Sequence, residues 1–291
     1  MLWQALTLSL GYNATLVTLG AAVLGLAAGA VGAGMVLRGR ALVPDALAHA
    51  TLPGLAGAFL ALTALGADPR NLPLLLVGGG IGAALGLAAL RALTARTRLT
   101  EDTATAAVLS VAYGGGLVLL TVIQALPGGR AAGLEGFLLG STAGMLRQDA
   151  LVIGGAAMVV LLALALCWRP LTLMAFDPMQ ARAMGLRTAA WDAVLAILVL
   201  AVVLVGLRVA GAILIVALLV TPAVAARLVV SRAGGMAALS ALIGGACGWF
   251  GAAASAAAPG LPTVAVIVLA AFAALAAAAL VRGGRAWTAP S

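Results

Sequence analysis

Residues 43–65 read VPDALAHATLPGLAGAFLALTAL, an apolar run close to the ~20 residues that a helix needs to cross a bilayer. The run contains His49, the only histidine in the 291-residue chain, and Asp45 lies four positions before it. Four residues make about one helical turn, which places the two side chains on one face with Cβ atoms roughly 5–6 Å apart. Ionisable groups at membrane depth are costly to keep, and they therefore mark a candidate functional site.

Pro53, within the same run, changes the hydrogen bonding of the predicted helix. Its missing amide leaves the main-chain oxygen of His49 without a helical donor and predicts a kink. The carboxylate of Asp45, the imidazole and this oxygen on one face would provide a partial ligand shell for a divalent cation. The alternative is that Asp45 caps the helix beside Pro44 while His49 hydrogen-bonds a neighbouring helix. Spacing alone leaves both interpretations open.

The composition is typical of a membrane protein. Hydrophobic residues make up 64% of the chain and charged residues 8%, and the mean hydropathy is +1.21, which predicts an all-α polytopic membrane protein. We expect a single transmembrane domain over residues 1–291, with about nine spans and lipid around it. The apolar runs of spanning length are residues 14–37, 43–65, 72–90, 103–126, 150–168, 190–207, 209–229, 236–257 and 262–281. Only Arg208 separates the sixth from the seventh, so eight spans with one irregular region remain an alternative.

The charged residues predict a topology and disfavour two classes of function. All sixteen basic residues are arginines that lie between the spans, so the net charge of +8 gives no sign of nucleic-acid binding. With the N-terminus outside and the C-terminus in the cytoplasm, twelve arginines lie inside and four outside, as the positive-inside rule requires. The four outer ones are Arg70, Arg130, Arg147 and Arg208. Without lysine the chain cannot form a P-loop, so we expect no enzymatic activity here and any ATP hydrolysis on another polypeptide.

Two connections between spans are long enough to have a structure of their own. Residues 127–149, expected outside, are too apolar for a free loop and predict a re-entrant or interfacial helix. In the cytoplasmic segment 171–189, Asp177 can cap a short helix that begins at Pro178 and ends at Gly185. Such a helix has the shape of a docking element for a soluble partner. The alternative is an interfacial helix with its arginines at lipid headgroups.

Acidic residues also occur at two other predicted helix starts. Glu101 and Asp102 open the fourth span, where they would complement the helix dipole or, alternatively, contact a cation leaving toward the cytoplasm. Asp192, at the start of the sixth span, is interpreted as a helix cap. Farther along the chain, small residues repeat every three or four positions, which suggests a close helix contact; they are Gly244, Gly248 and Gly251.

With these features identified, the chain resembles the membrane permease subunit of bacterial ABC importers for manganese, zinc and iron. The resemblance runs in order over nearly the whole length. The matching segments are VPDALAHATLPG at 43–54, EDTA at 101–104, GSTAGM at 140–145, the Asp177-Pro178…Ala181…Gly185 turn, VALLVTPA at 216–223 and LPT at 261–263. The family has Gly where Pro44 stands and usually Ser where Ala48 stands, and neither change removes a ligand-type group.

This resemblance implies a complex in the bacterial cytoplasmic membrane. Two copies of the permease would form a pore, two ATPase subunits would dock on its cytoplasmic helices, and an extracytoplasmic metal-binding protein would deliver the ion. Asp45 and His49 match the family's intramembrane metal-binding pair. Residues 177–187 match the coupling helix that seats in the ATPase, with Asp177, Pro178, Ala181 and Gly185 as the matching positions. No permanently bound cofactor is implied, since the metal is the transported substrate.

The types of ligand atom indicate which metal is transported, and the predicted docking helix indicates the source of energy. One imidazole with carboxylate and carbonyl oxygens suits Mn²⁺ or Fe²⁺, whereas Zn²⁺ prefers more nitrogen or sulfur, although a transit site need not be ideal for its ion. A stand-alone secondary transporter or channel for divalent cations could use the same pair. It would have no need of the capped cytoplasmic helix, which favours the ABC permease.

Overall fold

A computed structural model describes residues 11–69, 71–126, 147–258 and 260–288, together with Trp3, Gln4, Thr7 and Ser9. This part of the chain is helical. Its helices are α1 Tyr12–Leu37, α2 Val43–Ala64, α3 Leu72–Arg96, α4 Glu101–Ala125, α5 Arg147–Phe176, α6 Pro178–Ala183, α7 Thr188–Val229, α8 Ala233–Ala257 and α9 Thr263–Thr288. Nine helical segments among these residues are long and apolar enough to cross a membrane, which confirms the all-α polytopic prediction. The re-entrant helix predicted within residues 127–149 lies almost entirely outside the described residues.

The long helix α7 contains a reversal of the chain. Gly211 leaves the helical conformation with φ 72° and ψ 168°, and the segments Thr188–Leu207 and Ala210–Val229 are each long enough to span. Nine residues cover about 13 Å along an unbroken helix, yet a side chain at Gly206 would collide with that of Ile215. The two segments therefore fold back on each other as a hairpin, and the described residues contain nine candidate spans rather than eight.

The chain divides into two compact units, and the first comprises residues 1–41 and 140–291. Its central helix is α1, which packs against α5, α7 and α8 and is largely buried. Added side chains at Gly244 and Gly248 would collide with the main chain of α1, which confirms the close helix contact predicted for them. Gly251 instead faces Ile267 of α9. The matching small residues on α1, Ala21 and Gly25, had not been singled out from the sequence.

The second unit, residues 42–139, contains α2, α3 and α4. Helix α2 continues through Pro53 to Ala64, as expected of a proline within a span. Gly54 of α2 packs directly against α3, where a side chain would collide with the main-chain oxygen of Gly78. On α4, a Cβ added at Gly116 would lie 3.2 Å from Cδ of Pro53. Close packing around Pro53 thus joins all three helices beside the predicted site.

Candidate metal site and docking segment

The predicted pair, Asp45 and His49, comes together near the start of α2. Leu42 occupies the N-cap position and Asp45 is the third helical residue, so the alternative that Asp45 caps the helix is wrong. The Oδ1 atom of Asp45 lies 3.4 Å from Nε2 of His49, and the two side chains are 33% and 20% exposed. Both groups are therefore partly shielded but still accessible to a small ion.

The separation of these two atoms suits a shared metal ion. Transition-metal bonds to imidazole nitrogen and carboxylate oxygen measure about 2.0–2.2 Å, and two such bonds spanning 3.4 Å would meet at an angle of about 105°. That angle lies between the octahedral and tetrahedral values. The pair can therefore form one edge of either coordination polyhedron, and its geometry alone does not select the metal.

The imidazole of His49 also has a buried nitrogen that no described residue engages. Its Nδ1 atom is buried and has no hydrogen-bond partner within the described chain. A buried polar atom left in this state costs free energy and is uncommon in native structures. In addition, Pro53 supplies no amide to the main-chain oxygen of His49. This region of α2 thus has one buried ring nitrogen without a partner in the described chain and a main-chain oxygen without its usual helical donor.

The ring of His49 is contacted by Tyr113 of α4, a residue that the sequence analysis missed. The ring centroids lie 5.0 Å apart with an interplanar angle of 73°, an edge-to-face arrangement. The absent side chain of Gly116, one turn farther along α4, permits this approach to α2. A signal was available, because Tyr113 is one of only two tyrosines and lies in the middle of an apolar run.

Glu101 and Asp102 lie in the first turn of α4, but they do not join the pair. Thr100 is the N-cap residue, and its hydroxyl accepts a hydrogen bond from the amide of Thr103 at 3.3 Å. From Asp102 to Tyr113 the helix rises by about 16 Å. Among the described residues, no three His, Cys, Asp or Glu side chains converge in a group that could hold a metal. Within the described chain, the candidate site therefore consists of two side chains, Asp45 and His49.

The short helix α6 has the local structure that the sequence predicted. The carboxylate of Asp177 accepts a hydrogen bond from the amide of Gln180 at 2.8 Å, and Pro178 is the first helical residue. After the helix, Gly185 has a φ of 81°, and the amide of Leu186 donates to the oxygen of Ala181 at 3.0 Å. Both ends of α6 are therefore fixed.

The surface of this segment is unevenly covered. Ala181 is fully buried against the protein, whereas three large apolar side chains around α6 are two-thirds or more exposed: Phe176, Met179 and Met184. A capped helix with apolar side chains on its outer side is suited to seating in a groove of another protein.

The interpretation of Asp192 as a helix cap is wrong. Arg187 occupies the N-cap position of α7, and Asp192 lies in the second turn. Its carboxylate pairs through Oδ1 with Arg38 and through Oδ2 with Arg40, the latter at 3.3 Å. Arg38 also donates from Nη1 to the main-chain oxygen of Met174 at 2.7 Å. We refer to Arg38, Arg40 and Asp192 as the Asp192 cluster. Asp192 lies 154 positions after Arg38 in the sequence, so no local pattern reveals the cluster.

Comparison with known proteins agrees with this architecture. The model of the ABC 3 transport family matches residues 12–282, nearly the whole chain. The chain belongs to the ABC 3 transport family. The resemblance to metal-ion ABC permeases inferred from the sequence motifs is thereby confirmed.

Similar family members carry names that refer to different metals. The chain is 35% identical to the manganese transport system membrane protein MntC of Bacillus subtilis, over 85% of this chain and 56% of the relative. It is 37% identical to the zinc transport system membrane protein TroC of Treponema pallidum, over 84% of this chain and 80% of the relative. The ABC 3 chain thus spans little more than half the length of the Bacillus relative that it matches.

A solved structure shares the fold. The structure described as PsaBC from Streptococcus pneumoniae in complex with Fab aligns with a TM-score of 0.79 and 25% identity, over 96% of this chain and 95% of its counterpart. Nearly every helix of this ABC 3 chain therefore has an equivalent in that structure.

Proposed function

We propose that this ABC 3 chain is the membrane permease subunit of an importer that carries a divalent transition metal ion into the cytoplasm, manganese or iron in preference to zinc. The observation that carries the proposal is the Asp45–His49 pair, whose facing atoms are separated by the distance that a shared metal ion requires. A carboxylate and an imidazole with a buried unpartnered nitrogen, inside a predominantly apolar helix, are costly to keep and are not accounted for by the ring contact with Tyr113 alone.

Energy for transport comes from a separate ATPase subunit in this proposal. The chain has no lysine and hence no P-loop of its own. The capped helix α6, with Met179 and Met184 exposed, is the surface on which the ATPase docks. An extracytoplasmic metal-binding protein delivers the ion, and a second copy of the chain completes the pore in the bacterial cytoplasmic membrane.

The transport cycle is alternating access. ATP binding brings the two ATPase subunits together, and the docked α6 helices pass that movement to the spans. The Asp45–His49 pair then opens first to the outside, where it takes the ion, and afterwards to the cytoplasm. Two protein ligands hold the ion loosely enough for release, since the remaining positions can be filled by water or by main-chain oxygen.

Manganese or iron is favoured over zinc by the donor set. The site has one imidazole and otherwise oxygen, which suits Mn²⁺ and Fe²⁺, whereas Zn²⁺ sites usually contain more nitrogen or sulfur. Zinc is the second candidate because the relative from Treponema pallidum, named for zinc, is as similar as the one named for manganese.

Metal uptake by cells that carry the permease with its ATPase tests this proposal, with manganese, iron and zinc offered separately. Asp45→Ala and His49→Ala should each abolish uptake of the transported ion at normal expression. Asp68→Ala, which alters a carboxylate in the α2–α3 connection, is the matched control and should retain uptake. If both site variants keep full uptake of every ion, the assignment is wrong. Uptake that continues with a catalytically inactive ATPase would instead support a stand-alone carrier.

A further inference from the structure

We propose that the Asp192 cluster is the mechanical link between the docking helix α6 and the spans, and that Asp192 and Arg38 are positioning residues for coupled transport. The inference rests on the proposed function, because it assigns these residues a role in transmitting the movement of a docked ATPase.

The cluster joins the ends of three helices within one compact unit. Arg38 directly follows the last residue of α1 and pairs with Asp192 in the second turn of α7. The same guanidinium donates to the main-chain oxygen of Met174, two residues before the end of α5. One arginine side chain thus holds α5 and α7 together at the end of α1.

Helices α5 and α7 are the two helices that α6 connects in the sequence. Helix α5 ends at Phe176, α6 covers Pro178–Ala183, and α7 begins at Thr188. A force on α6 therefore passes into the end of α5 and the start of α7, and Arg38 contacts both of them. After Arg40 the chain continues through two residues into α2, where Asp45 is the third helical residue. The docking segment is thus joined to Arg38 by an ion pair and a hydrogen bond, and Arg38 is joined to the metal pair by a short stretch of continuous chain.

Partial burial distinguishes this cluster from an ordinary surface ion pair. The side chains of Arg38 and Asp192 are 14% and 20% exposed. Exposed pairs are weakened by solvent and the entropy of long side chains, whereas shielded pairs keep a defined geometry. The carboxylate of Asp192 engages a different arginine with each oxygen, which fixes its orientation as well as its charge.

The complete transporter, reconstituted in vesicles with its ATPase, provides the test. Metal uptake and ATP hydrolysis are measured in the same preparation for wild type, Asp192→Asn, Asp192→Glu and the double variant Arg38→Gln/Asp192→Asn. We expect Asp192→Asn to bind the ATPase and hydrolyse ATP, but to transport about tenfold fewer ions per ATP. Asp192→Glu should largely restore the ratio, because the charge is kept. Arg91→Gln, at an exposed arginine near the end of α3, is the control and should match wild type.

The double variant separates coupling from folding. It removes the charge of Arg38 together with that of Asp192, so only Arg40 loses its partner carboxylate, and thermal stability should recover partly toward wild type. The number of ions per ATP should nevertheless remain low. If the ratio recovers together with stability, or if Asp192→Asn keeps the wild-type ratio, the cluster only fastens the helices and the inference is wrong.

A second readout distinguishes failure of the inference from failure of the proposed function. Leu42→Cys is introduced at the exposed position before α2, with Cys167 and Cys247 replaced by serine, and its labelling by a maleimide is compared with and without ATP. We expect an ATP-dependent change that Asp192→Asn abolishes. If wild type shows this change but transports no metal, the proposed function fails and the link stands. If the change persists in Asp192→Asn, the link is refuted whatever is transported.

Discussion

The two groups of ionisable side chains, the Asp192 cluster and the Asp45–His49 pair, differ in what their carboxylates face. In the Asp192 cluster both carboxylate oxygens face arginines, and Arg38 also donates to a main-chain oxygen, although its Nε atom is buried without a hydrogen-bond partner in the described chain. In the pair, one carboxylate oxygen faces one ring nitrogen at 3.4 Å, and the other ring nitrogen is buried without a partner in the described chain.

This difference indicates different roles. A group whose charges are mutually satisfied fixes the helices that carry it, and its loss is felt mainly as loss of structure or of transmitted movement. A group with unused ligand atoms and an uncompensated carboxylate attracts a cation, and its loss is felt mainly as loss of binding. Substitutions in the two groups should therefore have different consequences, and equal consequences would contradict this assignment of roles.

The largest expected effect is on metal binding by the pair. For the purified protein, a metal at about 100 times its dissociation constant should add about 2.7 kcal/mol to stability through mass action. His49→Ala should abolish this metal-dependent gain, because it removes one of the two side-chain ligands, and should change the metal-free melting temperature little. Thermal unfolding with and without manganese, iron or zinc measures both quantities. If metal still stabilised His49→Ala, the Asp45–His49 pair would not be the metal-binding site.

The Asp192 cluster should show the opposite pattern. Asp192→Asn leaves two arginines without their carboxylate, and at 14% and 20% exposure of the paired side chains we expect a loss of about 1–3 kcal/mol of stability. Stabilisation by metal should be retained. Denaturant unfolding in the same detergent gives the difference from wild type, and Arg91→Gln serves as the control. If Asp192→Asn lost the stabilisation by metal but kept the metal-free stability of wild type, the two groups would not have different roles.

Tyr113 contributes to the pair in a third way, because it contacts the imidazole of His49 through its aromatic ring. Tyr113→Ala should lower metal affinity by about tenfold, since groups that orient a ligand typically contribute 10–100-fold. Tyr113→Phe should stay near wild type, because phenylalanine keeps the aromatic ring that makes the contact. Metal titration of the two variants measures the difference. Equal losses in both would show that the hydroxyl, and not the ring, is what the site uses.

The sequence predicted the helical fold and the Asp45–His49 pair, but not the Asp192 cluster. Long apolar runs identified the spans, and the i,i+4 spacing placed Asp45 and His49 on one face, because both signals act within a few residues of the chain. The end of α6 was likewise predictable from Asp177 and Gly185. The partners of Asp192 and the contact of Tyr113 with His49 could not be predicted, because both depend on which helices pack together. A helix that is apolar on its lipid-facing and its protein-facing sides shows little periodicity in its sequence, so the sequence does not indicate which helices lie beside it.

The smallest effect is expected for the acidic pair at the start of α4, which the sequence suggested as an exit-side contact. Glu101 and Asp102 lie about 16 Å along α4 from the ring that touches His49, too far to share its ion. We expect Glu101→Gln and Asp102→Asn to leave metal affinity unchanged and to slow uptake by no more than about threefold, a change of the size produced by single charges near a helix terminus. Uptake rates and metal titration of the two variants, with Thr100→Ala as a control for the helix cap, test this. If either variant lost as much metal affinity as His49→Ala, the ion-binding region would extend along α4, and the Asp45–His49 pair would be only one part of it.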